Sequence, residues 1–378
     1  MARLGDICFL ITDGSHNPPA GVVNSNYKML SSKNIDDDEI TFDDPRYLSE
    51  EDFIVEDKRT NVSEGDLLMT IVGTVGRVAV VPESMDKFCL QRSVAVLKPK
   101  HDIISSRFLM YQLQSMRTFI EQESRGVAQK GIYLKQISNL SIMVPPIKKQ
   151  QVIVDILDKL THLISLRKQQ LAKLDELVKA RFVEMFGEGF NMASLNSVCS
   201  FIDYRGKTPE KSDSGIPLIT AKNVRENSFS VEPKEFIPVD NYESVMTRGI
   251  PKVNDVLFTT EAPLGNVCRI PNIYQRFCVG QRIITMQPYH DIVTAEYLEF
   301  ALRDKKFQDK MWEKSSGSTV KGIRSKLLEW LTIPVPPYSL QCSFSDFVWK
   351  IDKQRLTIQR SLAKLEMLKK SLMQEYFG

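Results

Sequence analysis

A unit of about 190 residues is written twice in this chain, and any fold it adopts must satisfy one pattern at two places. Leu4-Gly-Asp-Ile-Cys8 aligns with Leu195-Asn-Ser-Val-Cys199, and Asp66-Leu-Leu-Met-Thr70 with Asp255-Val-Leu-Phe-Thr259. Each of the second pair leads through a glycine turn to another β-rich run, ending Val80-Val-Pro82 or Arg269-Ile-Pro271, which is a strand, turn, strand pattern. Gln91-Arg92 then matches Gln281-Arg282. His101-Asp-Ile matches His290-Asp-Ile, each expected to open a helical stretch through Leu113 or Leu302 with the histidine as a capping residue. Further on, Gly126-Val-Ala-Gln-Lys-Gly-Ile132 matches Gly317-Ser-Thr-Val-Lys-Gly-Ile323, and Val144-Pro-Pro matches Val335-Pro-Pro. A double proline holds the backbone extended and then suits the first turn of a helix, where a missing N–H costs nothing.

From Ile147 to Phe186 there is no glycine or proline, which predicts a helix of about 40 residues and roughly 60 Å; the second copy, to Phe377, is as long. In the first, Leu157, Ile164, Leu171, Val178 and Met185 form an apolar heptad series, while Ile153, Leu160 and Leu174 share theirs with Arg167 and Arg181. In the second, Phe344, Ile351, Ile358, Leu365 and Leu372 are unbroken, and Arg355 and Lys369 interrupt the other series. Two such seams ask for each other. A helix that carries the chain away from the first copy can be paired by the second helix only if that helix runs back, so an antiparallel coiled coil is expected. The boundaries that follow are 1–146 and 188–337 for the globular domains, and 147–187 and 338–378 for the helices.

At 378 residues the chain is long for one core, and no apolar run approaches the ~20 residues a membrane helix needs. The N-terminus carries no signal-peptide pattern, so the expected compartment is the cytoplasm. A net charge of +3 leaves any polyanion-binding face to segregated charge. The acid-rich stretch Asp36–Asp57 reads as a solvated loop away from such a face. Six cysteines without CxxC spacing, four of them matched between copies (Cys8 with Cys199, Cys89 with Cys278), read as small buried apolar positions rather than metal ligands or disulfides.

Catalytic patterns are incomplete. Val335-Pro-Pro-Tyr338 echoes the Asp/Asn-Pro-Pro-Tyr loop of amino-group DNA methyltransferases, but valine cannot accept the hydrogen bond that loop requires. Glu56-Asp57-Lys58 with Asp43 and Asp44 loosely echoes a metal-dependent nuclease, and the second copy lacks it. Gly73 and Gly76 form a turn without the GK[ST] ending of a phosphate loop, and four histidines assemble no Ser/His/Asp set. The remaining polar inventory near glycine turns suits nucleic acid. The candidates are Ser15, His16, Ser32, Lys33, Asn34, Arg77, Arg125, Gln129 and Lys130 in the first copy. In the second they are Tyr204, Arg205, Lys207, Lys222, Asn223, Lys314, Ser316, Ser318, Thr319 and Lys321.

With the doubled unit, the Val-Pro-Pro-x-x-x-Gln boundaries ending at Gln150 and Gln341, the Leu-Ala-Lys-Leu runs at 171 and 362, Asp13-Gly-Ser-His16, the Gly65-Asp-Leu-Leu turn and Gly73-Thr-Val-Gly-Arg77, the chain resembles over its full length the specificity subunit of type I restriction-modification systems. It departs from the family's pattern at Lys149 and Leu340, where an acid usually precedes the boundary glutamine, and at Asp203-Tyr-Arg-Gly206. The resemblance implies a mixed α/β (α+β) protein with two target-recognition domains separated by an antiparallel coiled coil and related by an internal pseudo-two-fold. It further implies a subunit without catalysis or cofactor that reads an asymmetric, two-part target in double-stranded DNA. The helical pair would set the gap and dock two methyltransferase subunits, which supply S-adenosylmethionine binding and adenine N6 methylation; restriction subunits could join for ATP-dependent cleavage. No membrane is implied. Two other readings stay open at this point: a self-contained DNA methyltransferase or nuclease, and a coiled-coil scaffold with no DNA role.

Overall fold

The β-rich runs and the heptads both become regular structure in a computed structural model, which describes residues 1–124, 131–204, 209–226, 228–317 and 320–378. The chain divides into unit 1, Met1–Lys168 with Arg360–Gly378, and unit 2, Gln169–Gln359.

In unit 1 the strands used below are β1 (Cys8–Asp13), β2 (Tyr27–Leu30), β3 (Arg46–Leu48), β4 (Leu67–Thr70), β5 (Val78–Val80), β6 (Phe88–Leu90) and β7 (Val94–Pro99). They pair as a four-stranded antiparallel sheet in the order β1-β7-β4-β5 and a smaller sheet, β3-β2-β6, in which β2 and β6 are parallel. Side chains alternate faces along a strand, and here both faces are apolar. Leu67, Met69, Val78, Ala95 and Leu97 enter the core shared with the helices, while Leu68, Ala79, Val94 and Val96 enter a second core with Leu30, Phe88 and Leu90 of the smaller sheet. One sheet therefore serves two cores.

Unit 2 repeats the plan with β8 (Cys199–Asp203), β9 (Ile216–Ile219), β10 (Phe236–Ile237), β11 (Val256–Thr260), β12 (Leu264–Arg269), β13 (Cys278–Val279) and β14 (Ile283–Pro288). Its sheets are β8-β14-β11-β12 and β10-β9-β13, the same orders. The matched cysteines Cys8, Cys89, Cys199 and Cys278 are all buried, as small apolar positions should be, and burial pushes each thiol up to about 12.

Five helices matter here: α1 (Glu50–Thr60), α2 (Ser106–Ser115), α3 (Ile147–Phe186), α4 (Ala295–Arg303) and α5 (Tyr338–Phe377). His101 and His290 do not cap α2 and α4. The histidines stand in the preceding turns, and the N-cap positions fall to Ser105 and to Thr294, whose side chain accepts from the Tyr297 N–H. A short hydroxyl side chain reaches the free N–H groups of the first turn, which is why such residues are preferred there. The acid-rich stretch is likewise not one loop, since it contains β3 and most of α1; Ser49 caps α1, and Glu50, Glu51 and Asp52 occupy its positive end.

Of the apolar heptad positions, Leu157, Ile164, Val178, Phe344 and Ile351 are buried and Leu171, Met185, Ile358, Leu365 and Leu372 half-buried. Within unit 1 the start of α3 lies against the end of α5. Phe377 meets Phe108 edge-on at 5.2 Å, Leu372, Met373 and Tyr376 pack on the core containing Ile153, Val154 and Leu157, and Lys168 pairs with Glu366 at 3.6 Å. Within unit 2 the end of α3 meets the start of α5, with Phe344 at 5.6 Å from Phe182 and 5.3 Å from Phe186. The segments run antiparallel in each unit. The interrupting cations are accommodated at the seam edge: Arg355 bonds Asp175 at 2.6 Å, and Lys369 lies 5.6 Å over the Tyr111 ring.

The Val-Pro-Pro-x-x-x-Gln boundary has a physical explanation. Gln150 is fully buried; its amide donates to Ile103 O at 2.9 Å and Pro145 O at 2.8 Å, and its oxygen accepts from Ser105 N at 2.8 Å. Gln341 repeats this with Ile292 O at 3.0 Å, Pro336 O at 2.9 Å and Thr294 N at 3.0 Å. Each glutamine stitches a long helix to the turn before α2 or α4. Replacing either by alanine strands three buried backbone groups, so Gln150→Ala and Gln341→Ala should each lower stability by at least about 1–3 kcal/mol, read from denaturant unfolding. An unchanged midpoint would show that water replaces the amide.

Candidate nucleic-acid interface

Asp13 at the end of β1, Thr70 at the end of β4 and Val94 at the start of β7 meet at one edge of the main sheet, where Ala95 pairs with Asp13 and Val94 with Thr70. The Gln91–Ser93 turn sits there as a hub. Arg92 N donates to Ser15 O at 2.8 Å, Gln91 N to Leu30 O at 2.9 Å and Ile71 N to Ser93 O at 2.9 Å, while Ser93 Oγ accepts from Ser32 N at 3.0 Å. Residues 15–16 and 32–34, nominated separately from sequence, are thereby gathered in one place, and the nominated Arg77 adjoins it, its N–H donating to Thr70 Oγ1 at 3.0 Å.

Their individual roles divide. His16 is exposed, with Nε2 2.8 Å from Asp13 Oδ2. Lys33 is exposed and paired with Asp44 at 2.5 Å, a bond that holds the Asp44 carboxyl below its usual range. Arg77 is half-buried, 3.5 Å from Asp36. Ser15 and Asn34 are buried, and Asn34 works for the fold, accepting from Ser31 N at 3.0 Å and donating to Asp43 O at 2.9 Å. The acidic stretch thus lies beside the nominated cations and neutralises two of them, because Asp36 sits on the Ile35–Ile40 hairpin that follows the 32–34 turn and Asp44 in the bend after that hairpin.

In unit 2, Ser316 exchanges backbone bonds with Gly322 at 2.9 Å each way, and Ile323 N donates to Thr260 O at 3.0 Å, so Ser316 and Lys321 stand by the end of β11. Lys314, Ser316, Lys321 and Lys222 are exposed. Lys222 pairs with Glu235 at 3.3 Å, beside Lys211 at 2.7 Å; partial burial works to raise the Glu235 pKa, and the two lysines outweigh it. Asn223 is buried and repeats Asn34, accepting from Thr220 N at 2.9 Å and donating to Ser230 O at 3.0 Å and Pro233 O at 3.1 Å. Tyr204 is also buried, its hydroxyl donating to Gly249 O. Ser15, Asn34, Asn223 and Tyr204 therefore serve the scaffold in this geometry. Arg125, Gln129, Lys130, Arg205, Lys207, Ser318 and Thr319 lie outside the described residues.

Sequence reasoning passed over Arg92 and Arg59, both exposed near the hub. The match of Gln91-Arg92 to Gln281-Arg282 was the available signal for Arg92; Arg59 is hidden in an acid-rich helix and gave none. Among the described residues no group of three or more His, Cys, Asp or Glu side chains is placed to hold a metal ion, and no helix is long and apolar enough to cross a membrane.

A doubled α/β scaffold that presents different polar loops from the same sheet edge, each copy followed by a long helix, defines a class of repeated recognition module. The chain belongs to the type I restriction modification DNA specificity domain family, whose sequence pattern matches it twice, over residues 3–176 and 187–367. It is 30% identical over 174 residues to the EcoBI type I restriction enzyme specificity subunit of Escherichia coli, an alignment spanning 44% of this chain and 36% of that one. It is 23% identical over 343 residues to the putative MjaX specificity subunit of Methanocaldococcus jannaschii, covering 82% and 76%. In fold it matches the crystal structure of a type I restriction-modification S subunit from M. genitalium with a TM-score of 0.62 at 15% identity, over 100% of this chain and 95% of that one. A chain from a study of complex assembly and conformational transition in a type I system matches with a TM-score of 0.52 at 16% identity, covering 100% and 96%.

Proposed function

We propose that this chain is the DNA-recognition subunit of a type I restriction-modification complex, reading a split, asymmetric target with one half assigned to each unit. The observation that carries this reading is the repeat itself: sheet order, cysteines and boundary glutamines are alike in both copies, whereas the loops at the sheet edge differ. Scaffold sameness with loop divergence is what two different half-sequences demand, since base edges in the major groove are distinguished by side-chain donors and acceptors. The chain is non-catalytic in this reading. Two methyltransferase subunits dock on it and supply S-adenosylmethionine binding and adenine N6 methylation, and restriction subunits join that assembly to cleave DNA with ATP. The helical pair sets the gap.

Exposed lysines already paired with carboxylates, as Lys33 and Lys222 are, must exchange those partners for phosphate, so binding should weaken steeply with salt. The test is selection of bound duplexes from random DNA, with and without a methyltransferase partner. Recovery of two short unlike motifs at a constant spacing is the expected result. No enrichment overturns the proposal, and binding of S-adenosylmethionine by the isolated chain points to an enzyme instead.

A further inference from the structure

Beside the Gln91–Ser93 turn, unit 1 contains an open cavity of about 480 Å³ whose wall carries Asp13, His16, Arg59, Arg92 and Tyr133 above an apolar floor including Ile71 and Ile132. Its frame is tied together by backbone bonds from every side. Arg92 N reaches Ser15 O at 2.8 Å, Ile132 N reaches Ile71 O at 3.0 Å, and Val72 bridges Gly131. Asp13 is buried and saturated: Arg59 gives it Nη2 at 2.5 Å and gives its carbonyl Nε at 2.8 Å, while His16 Nε2 approaches its other oxygen at 2.8 Å. Among the described residues Asp13 is the one carboxylate on the wall, and Arg59 neutralises it. Arg92 is then a surplus cation, exposed and without an ion pair or side-chain hydrogen bond to any described residue.

We propose that this cavity takes a phosphodiester of the DNA backbone, with Arg92 as its principal ligand, Arg59 held in place by Asp13 as the flanking donor, and the adjoining sugar over the apolar floor. A guanidinium presents parallel donors that match two phosphate oxygens, and a buried carboxylate that fixes its neighbours lowers the ordering cost of the contact. Unit 2 is built otherwise: Glu261 stands where unit 1 has Val72, which also lines the cavity, and its carboxylate pairs with Arg282, the match of Arg92, at 3.0 Å. The contact therefore belongs to one half of the target and positions that half without reading its bases.

The inference rests on the DNA-recognition reading, and its test separates the two. Affinity of the full chain for its selected duplex and for several unrelated duplexes is measured across a range of salt. Arg92→Gln should weaken all duplexes alike, by about tenfold, and lower the slope of log affinity against log salt by about 0.9. Arg92→Lys keeps the charge and should keep most of the slope, whereas Arg282→Gln in unit 2 should leave it unchanged. Because Arg92 is exposed, its replacement should not alter thermal unfolding, which is checked alongside. An unaltered slope in Arg92→Gln, or a loss confined to one sequence, overturns the phosphate assignment while the recognition reading stands. A wild-type chain that binds no duplex overturns both.

Discussion

Arg269→Met lowers the stability of unit 2 by about 3–5 kcal/mol, because it removes the cation from a buried carboxylate network without removing the carboxylates. Arg269 of β12 bonds Glu299 through Nε at 2.7 Å, Glu296 at 2.7 Å and Asp352 of α5 at 2.8 Å, so one side chain ties sheet, α4 and long helix together. Arg303 also bonds Glu299, at 2.6 Å, and remains in the variant, which places the expected loss in the lower half of that range. Burial works to raise the Glu299 pKa, but Arg303 and Arg269 outweigh it and hold the carboxyl below its ordinary value of 4.5. A depressed folded-state pKa contributes stability above 4.5 that is lost progressively as pH falls from there through the folded value. Wild type should therefore lose part of its advantage over Arg269→Met under acid, as measured by denaturant midpoints from pH 7 downward. Equal midpoints at neutral pH would show that the network contributes nothing net. Unit 1 meets the same requirement with a different residue: Arg107 of α2 bonds Asp38 at 2.6 Å and Asp158 of α3 at 2.6 Å.

Adding one heptad to both α3 and α5 at the boundaries between the units should lengthen the gap in the DNA target and leave both half-sequences unchanged. Seven residues preserve the inward-facing seam and add roughly 10 Å of helix, which corresponds to at most about three base pairs of B-DNA. Adding the heptad to one helix only is incompatible with keeping both the Lys168–Glu366 pair of unit 1 and the Asp175–Arg355 pair of unit 2, and should destabilise the chain rather than shift the gap. Selection from random DNA with the doubly extended chain reads the outcome directly. Altered half-sequences at an unaltered gap would show that the helices take part in reading bases, contrary to the division of labour proposed.

The helices were legible because a heptad is a local pattern: the spacing of Leu157, Ile164 and Leu171 states which face is covered whatever covers it. The strand, turn, strand runs were legible because one sheet buries both faces, which leaves near-continuous apolar stretches such as Leu67–Met69. The candidate site was legible only in part. Asn34, Asn223 and Tyr204 have the composition of a binding loop, and only folding shows that their polar atoms are consumed by backbone groups. Arg59 became visible only where β1, β4 and β7 bring distant segments to one edge, and the repeat match that marks Arg92 acquires a role only there.

The repeat, its two α/β halves and its paired helices were thus determined by the sequence alone, since each rests on periodicity or on apolar residues recurring at matched places. Which polar residues face solvent, which cations are already neutralised, and why Gln150 and Gln341 stand where they do were decided by tertiary structure. Hydrogen bonds and ion pairs here join residues far apart in sequence, 47 positions for Gln150 with Ile103 and 83 for Arg269 with Asp352, and no local pattern records such a partner.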